Sequence, residues 1–174
     1  MADSRPTFFT ENGEPIRAAG ILCYVYDQDN KKKQWLFRKH KNIFSDTGGK
    51  TDKIDKNPLE TAIRETVEET NGHLFSSKHD QNYCFKILKR EIIKQNKKPI
   101  YFEGCKYQLY ILKLRKKTLN LPLERFGEFE IHDNLKHSYH WLTDIPEKNI
   151  HPRLNSIKKK INYYLNSYHL LNLF

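Results

Sequence analysis

Apolar runs alternate with polar loops along the first part of the chain, and their lengths suit β-strands. Residues 18–27 (AAGILCYVYD) are rich in apolar and β-forming residues and predict a buried strand. After a polar hairpin loop, residues 34–40 (QWLFRKH) predict a second strand. Residues 1–16 contain two prolines and a glycine, which predicts an irregular N-terminal arm.

Extended segments are also predicted further along the chain. Residues 83–95 (YCFKILKREIIKQ) and 105–114 (CKYQLYILKL) are interpreted as a pair of strands joined across residues 96–99. Residues 126–132 (FGEFEIH) and 137–142 (HSYHWL) are shorter candidates.

The C-terminal region has a helical pattern, which predicts an amphipathic helix packed on the domain. Its apolar residues recur at spacings of three and four: Leu154, Ile157, Ile161, Tyr164, Leu165, Tyr168 and Leu171. A membrane-surface helix is the weaker alternative, given the lysines at positions 158–160. Because no repeat or linker marks a second domain, residues 17–174 are predicted to form one domain that includes this helix.

A second helix is predicted at residues 58–70 (PLETAIRETVEET). Asn57 is a good N-cap and Pro58 suits the first helical position. Asn71 tolerates the left-handed conformation that closes a helix, and Gly72 follows it. One stripe of this helix is expected to face the core: Leu59, Ala62, Ile63, Thr66, Val67 and Thr70.

The distribution of charge singles out this helix. The chain has 31 Lys and Arg against 21 Asp and Glu, a formal net charge of +10. On a neighbouring stripe of the helix, however, Glu65 meets Glu68 at i+3 and Glu69 at i+4, and Arg64 is the single cation. Like-charge pairs at these spacings cost a few tenths of a kcal/mol each. The face therefore favours a hard divalent ion held by oxygen ligands, with a solvated glutamate-rich surface as the alternative.

The loop and helix together resemble the Nudix box, the loop-helix signature of Nudix hydrolases. Gly48 and Gly49 match its glycine pair, and RETVEE at residues 64–69 matches its Arg-Glu and Glu-Glu core. The resemblance covers residues 48–72, and the predicted elements on either side agree with the layout of the family. It implies an α/β fold, a Nudix-type α/β/α sandwich with a mixed β-sheet in a single domain.

This sequence departs from the family pattern in the loop. The loop is one residue longer, and Lys56 stands where the family has a Glu that pairs with the arginine of the box. Asp52 or Asp55 would have to substitute for that Glu. Thr66 stands at an apolar position of the pattern, and Asn71 replaces the closing glycine.

The resemblance implies hydrolysis, by water, of a nucleoside diphosphate linked to another group, with Mg²⁺ or Mn²⁺ as cofactor. Glu65, Glu68 and Glu69 are implied to hold the ions, together with the carbonyl of Gly49. One carboxylate can take the proton of the attacking water. Arg64 is implied to fix the glutamates.

Further site residues are expected outside the box. The catalytic base of the family often lies on a later loop, where Glu128, Glu130 and Asp133 are candidates and Glu130 is weakly preferred. Arg38, at the end of the second predicted strand, is a candidate for phosphate binding, with a solvent-facing role as the alternative. Arg17 is a weaker candidate for the same contact.

The substrate is expected to be a nucleotide or a nucleotide conjugate. The positive charge outside the box favours an RNA 5′ end, which makes mRNA decapping the runner-up function. A catalytically silent Nudix fold that binds nucleotide or RNA is a further alternative. The start of the chain has no secretory pattern and no apolar run approaches about 18 residues, so an intracellular, cytoplasmic protein without a membrane segment is expected. The oligomeric state stays open.

Overall fold

A computed structural model describes residues 4–75, 80–129, 136–154 and 156–171, with side chains described as far as residue 164. The strands are β1 (Phe8–Phe9), β2 (Pro15–Ile16), β3 (Ala18–Asp27), β4 (Lys32–His40), β5 (Ile43–Ser45), β6 (Thr47–Lys50), β7 (Ile100–Phe102), β8 (Tyr107–Leu114) and β9 (Ser138–Leu142). The helices are α1 (Pro58–Glu69), α2 (Gln81–Gln95) and α3 (Ile157–Leu171).

The strand β3 is the centre of a mixed sheet. Along one edge it pairs with β8 in parallel, from Ala18 opposite Tyr107 to Val25 opposite Leu114. Its other edge is shared by two antiparallel neighbours, β6 beside its first half and β4 beside its second half. The strands β5 and β9 both pair with β4, and β7 pairs with β8. This arrangement brings β6, which leads into α1, onto the middle of the sheet.

Helices cover both faces of the sheet. One core cluster joins Ile21 and Cys23 of β3 to Ile63 of α1 and Leu88 of α2. The other cluster joins Leu22 of β3 to residues of α3. Because β3 is buried on both faces, it is an almost continuous apolar run rather than an alternating one. The α/β/α sandwich with a mixed sheet is therefore as predicted.

Most of the predicted elements are present. The strands β3, β4, β8 and β9 lie where the apolar runs predict them, and α1 ends one residue before its predicted last residue. The C-terminal helix packs on the sheet, with Ile157, Ile161 and Tyr164 buried. The remaining apolar positions of that helix, 165, 168 and 171, have side chains outside the described part.

The prediction of a strand at residues 83–95 is wrong, because this segment forms most of the helix α2. Its β-branched and aromatic residues favour a strand, but its buried positions, Cys84, Leu88 and Ile92, recur every four residues. The side chain of Asp80 caps the first turn by accepting the N–H of Tyr83, at 2.8 Å. Packing of this stripe against α1 and the sheet overrides the strand preference of the composition.

Two other segments differ in detail from their predictions. The N-terminal arm contains a short antiparallel pair, β1 with β2, and Ile16 is fully buried. In the segment predicted to be extended at 126–132, Phe126 closes the 3₁₀ turn Leu123–Phe126, and residues 130–132 lie outside the described part. Within the described part of the chain, we find no helix with the length and apolar character needed to cross a bilayer.

Candidate functional site

The site is built where β6 leads into α1. Pairing with the first half of β3 places Gly48 opposite Gly20 and Gly49 opposite Ala19. The helix begins as predicted, because the Asn57 side chain accepts the N–H of Glu60 at 3.0 Å. The glycine strand and the acidic face of α1 are thereby held side by side.

Arg64 is the hub of the acidic face. Its Nε and Nη2 donate to the two carboxylate oxygens of Asp55, at 2.9 and 3.1 Å. Its Nη1 lies 3.0 Å from Glu65 Oε1 and 3.0 Å from Glu68 Oε2. Burial opposes the charge of Arg64, but Asp55 and the two glutamates outweigh it and raise the pKa of the guanidinium. Arg64 is thus a permanent cation shared by three carboxylates.

Asp55, rather than Asp52, takes the place of the glutamate that the family pattern has before the helix. Besides Arg64, Asp55 Oδ2 accepts the hydroxyl of Thr61 and the backbone N–H of Asp52, both at 2.8 Å. The side chain of Asp52 caps its own turn instead, by accepting the N–H of Ile54. The additional residue in the loop therefore leaves the anchoring of Arg64 intact.

Glu65 and Glu68 present the partly exposed carboxylates of the site, with side-chain exposures of 16% and 23%. The Glu65 carboxylate packs against the backbone of Gly49 so closely that a Cβ at this position would overlap it. This contact explains why the second glycine of the pair is needed here.

Glu69 is buried and ties α1 to the rest of the site. Its Oε1 accepts Arg38 Nη1 at 2.8 Å, and its Oε2 accepts the N–H of Gly48 at 3.1 Å. The backbone carbonyl of Glu69 accepts the hydroxyl of Tyr139, at 2.8 Å. Arg38, predicted to contact phosphate, is itself largely buried and lies against Glu69. A ligand role for Glu69 and phosphate contact by Arg38 both stay predictions.

A buried polar cluster beneath the glycine strand was missed in the sequence. The carboxylate of Asp46 has no exposed surface and accepts the hydroxyl of Tyr107. Arg153 donates from Nε to Asp46 Oδ1 at 3.1 Å and lies over the ring of Tyr107. Burial raises the pKa of Tyr107 well above its usual value, so the phenol stays protonated as the donor. The Tyr107 hydroxyl occupies the space that a side chain at Gly20 or Gly48 would need.

The remaining predicted residues lie apart from this cluster. The guanidinium of Arg17 holds the N-terminal arm, since its Nη1 donates to the carbonyl of Arg5 and to Thr7 Oγ1. Glu128 is exposed and pairs with Lys136 at 3.0 Å. Glu130 and Asp133 lie outside the described residues. Their role as base stays a prediction.

The oxygen donors of the site suit a hard divalent ion. Glu65 and Glu68 supply two partly exposed carboxylates beside the backbone of Gly49. Hard cations such as Mg²⁺ take oxygen ligands of this kind. In residues 4–75, 80–129, 136–154 and 156–171, no group of three or more His, Cys, Asp or Glu side chains forms a ready-made cage. The two carboxylates are held by Arg64 instead and are partly exposed to the solvent, from which an ion could reach them.

The fold is similar to that of known structures. A binary complex of the Ap4A hydrolase of C. elegans aligns with 87% of this chain and 99% of its own, at 17% identity and a TM-score of 0.51. Another structure of C. elegans Ap4A hydrolase aligns with 74% of this chain and 80% of its own, at 18% identity and a TM-score of 0.41. No protein-family model and no curated protein matches the sequence. The first of these likenesses confirms the predicted α/β fold with a mixed sheet.

Proposed function

We propose that the chain is a Nudix hydrolase that cleaves a phosphoric anhydride bond in a nucleotide substrate. The observation that carries this proposal is the arrangement around Arg64, which holds two partly exposed glutamates beside a glycine strand. Glu65 and Glu68 repel each other at i+3 by a few tenths of a kcal/mol, and a bound divalent cation would offset this repulsion. The shared fold supports the same assignment.

The cofactor of the proposed reaction is Mg²⁺ or Mn²⁺, held by Glu65 and Glu68 with the carbonyl of Gly49. Glu69 completes the predicted ligand set. When bound, the ion neutralises the charge of the pyrophosphate and lowers the pKa of a bound water. The chain itself positions these donors, because Arg64 fixes the two exposed carboxylates and Glu69 fixes the glycine strand through the N–H of Gly48.

In the reaction, the oxygen of water attacks one phosphorus of the anhydride. The bridging P–O bond breaks, and its electron pair leaves with the departing phosphate group. The proton of the water passes to a carboxylate, either Glu65 or Glu68 in the cluster or a base from the later loop, where Glu128, Glu130 and Asp133 are the candidates. One water and one anhydride give two phosphate products and a proton.

The substrate class that we propose first is a dinucleoside polyphosphate. The C. elegans structure with a TM-score of 0.51 is of an enzyme named for hydrolysis of Ap4A, and that substrate has several anhydride bonds between two nucleosides. A capped RNA 5′ end is the second candidate, favoured by the excess of ten positive charges on the chain. Both substrates present an anhydride to the same carboxylates.

Hydrolysis of Ap4A, capped RNA, nucleoside triphosphates and nucleotide sugars in Mg²⁺ or Mn²⁺ tests the proposal. We expect turnover of at least one of them, lost in EDTA and lowered about 100-fold or more in Glu68→Gln. Glu103→Gln, which makes the same chemical change at an exposed site, is the matched control and should retain full activity. Absence of turnover on every substrate, with nucleotide binding retained, would instead support the catalytically silent fold.

A further inference from the structure

A groove lies between α2 and the end of β8, on the same face of the sheet as α1. It consists of two adjoining cavities of about 140 and 430 Å³, which share Phe75, Lys117 and Thr118. We name it the α2–β8 groove. None of the carboxylates around Arg64 lines it.

The charged side chains that line the α2–β8 groove are mostly cationic. Its five cations all lie on exposed residues: Arg90, Lys113, Arg115, Lys117 and Arg125. The one carboxylate in the lining is Glu91, whose Oε1 lies 3.0 Å from Arg90 Nη2. Lys116, between two of these cations in sequence, instead forms an ion pair with Asp29. The described residues that line the groove thus have four positive charges in excess.

The apolar lining of the same groove includes aromatic rings. Tyr83, at the edge of the groove, is 48% exposed. Its backbone is fixed in the first turn of α2, because its N–H donates to the capping side chain of Asp80. Phe75 and Ile87 are partly buried beside it. An exposed aromatic ring among cations suits unpaired bases, which stack on the ring while their phosphates contact the cations.

The walls of the groove are held together at the end of β8. The side-chain amide of Gln95, the last residue of α2, accepts the N–H of Lys113 at 3.0 Å and donates to its carbonyl at 2.8 Å. Because the backbone N–H and carbonyl of Lys113 both bond to Gln95, this part of β8, which leads to Arg115, is held at a fixed distance from α2. These two hydrogen bonds hold α2 and the end of β8 together beside the cations of the groove.

We propose that the α2–β8 groove binds single-stranded RNA, with its phosphates on the cations and a base on Tyr83. The groove is separate from the candidate active site. Leu114 of β8 lies opposite Val25, whereas Gly49 lies opposite Ala19, which is six residues and so about 20 Å away along β3. RNA binding here does not depend on hydrolysis, and it gives a reason for the basic character of a chain whose candidate active site is acidic.

Fluorescence anisotropy with a labelled single-stranded RNA of about ten nucleotides, in EDTA, measures this binding. The test variant replaces Arg90, Arg115 and Lys117 with Gln. Counterion release contributes about 0.7 to the salt slope per contact, so we expect the slope of log K against log salt to fall by about two. At 0.1 M salt that corresponds to an affinity about 100-fold weaker. Hydrolysis of a small nucleotide should be unchanged.

Matched variants separate the groove from net charge. A triple replacement of Lys32, Lys148 and Lys159 with Gln removes the same charge from exposed positions that do not line the groove, and it should retain affinity and salt slope. Tyr83→Ala should weaken RNA binding about tenfold, while Tyr83→Phe retains it.

Three results would overturn the proposal. The first is equal loss of affinity in the groove and control triple variants, and the second is no RNA binding by the wild type at low salt. The third is displacement of RNA by polyglutamate of equal charge as effectively as by unlabelled RNA, which would indicate a general polyanion surface. RNA binding without hydrolysis of any nucleotide would reject the proposed enzyme and leave the groove assignment standing.

Discussion

Replacing Asp55 with Asn removes the charge that anchors Arg64 while leaving the volume of the side chain almost unchanged. The Asp55 side chain is 2% exposed and accepts four hydrogen bonds, two of them from Arg64. An asparagine side chain has only one accepting oxygen. Its N–H₂ group would therefore stand where a carboxylate oxygen now accepts a hydrogen bond, and it would face the donor of that bond. Breaking a buried pair costs about 3–5 kcal/mol, and the lower end applies because Arg64 keeps Glu65 and Glu68 as partners.

A loss of about 3 kcal/mol in a chain of this length lowers the melting temperature by about 6–12 °C, measured by circular dichroism. Activity in Mg²⁺ should fall about 10- to 100-fold, because the glutamates lose the support that orients them. Asp52→Asn is the matched control, since this side chain caps only its own exposed turn, and it should change stability by less than about 0.5 kcal/mol. Equal losses in the two variants, or unchanged stability in Asp55→Asn, would refute the anchoring role.

Three further predictions follow from the packing of the site and its support. Gly49→Ala should abolish hydrolysis with the far-ultraviolet spectrum retained, whereas Gly104→Ala, with no atom within 4 Å of the new Cβ, should have full activity. Arg153→Met leaves the carboxylate of Asp46 buried without its cation and should lower the unfolding free energy by about 3–5 kcal/mol in urea titrations. Burial and the neighbouring cation Arg153 lower the pKa of His151. Below about pH 6.5 the histidine therefore takes up a proton on unfolding, and the unfolding free energy falls as the pH falls. His151→Asn should flatten this dependence of the unfolding free energy on pH.

The candidate site could be predicted from the sequence because its main residues are close together along the chain. Glu65 and Glu68 share a helix face, and the loop before them supplies Gly49 and Asp55. The choice between Asp52 and Asp55 needed the structure, because it depends on how the longer loop turns toward Arg64.

The parts that were missed depend on contacts between distant segments or on a misleading composition. Asp46, Tyr107 and Arg153 meet only because β3 pairs with β6 and β8 while the chain returns across the second face. In α2, the strand-forming residues favour a strand by composition. The four-residue spacing of Cys84 and Leu88 and the N-cap residue Asp80 indicate a helix instead. A period of four should therefore have been preferred over residue preferences there.

The support of Asp46 by Arg153 has a consequence for biosynthesis. The two residues are 107 positions apart, so the glycine strand is translated long before the guanidinium that steadies it from below. During elongation Asp46 is made before its cation, and the acidic helix, with 12 residues, is too short to be stable alone in water. The site therefore takes its final form only once the segment that carries Arg153 has joined the fold, and a chain truncated ahead of Arg153 would leave Asp46 without its cation.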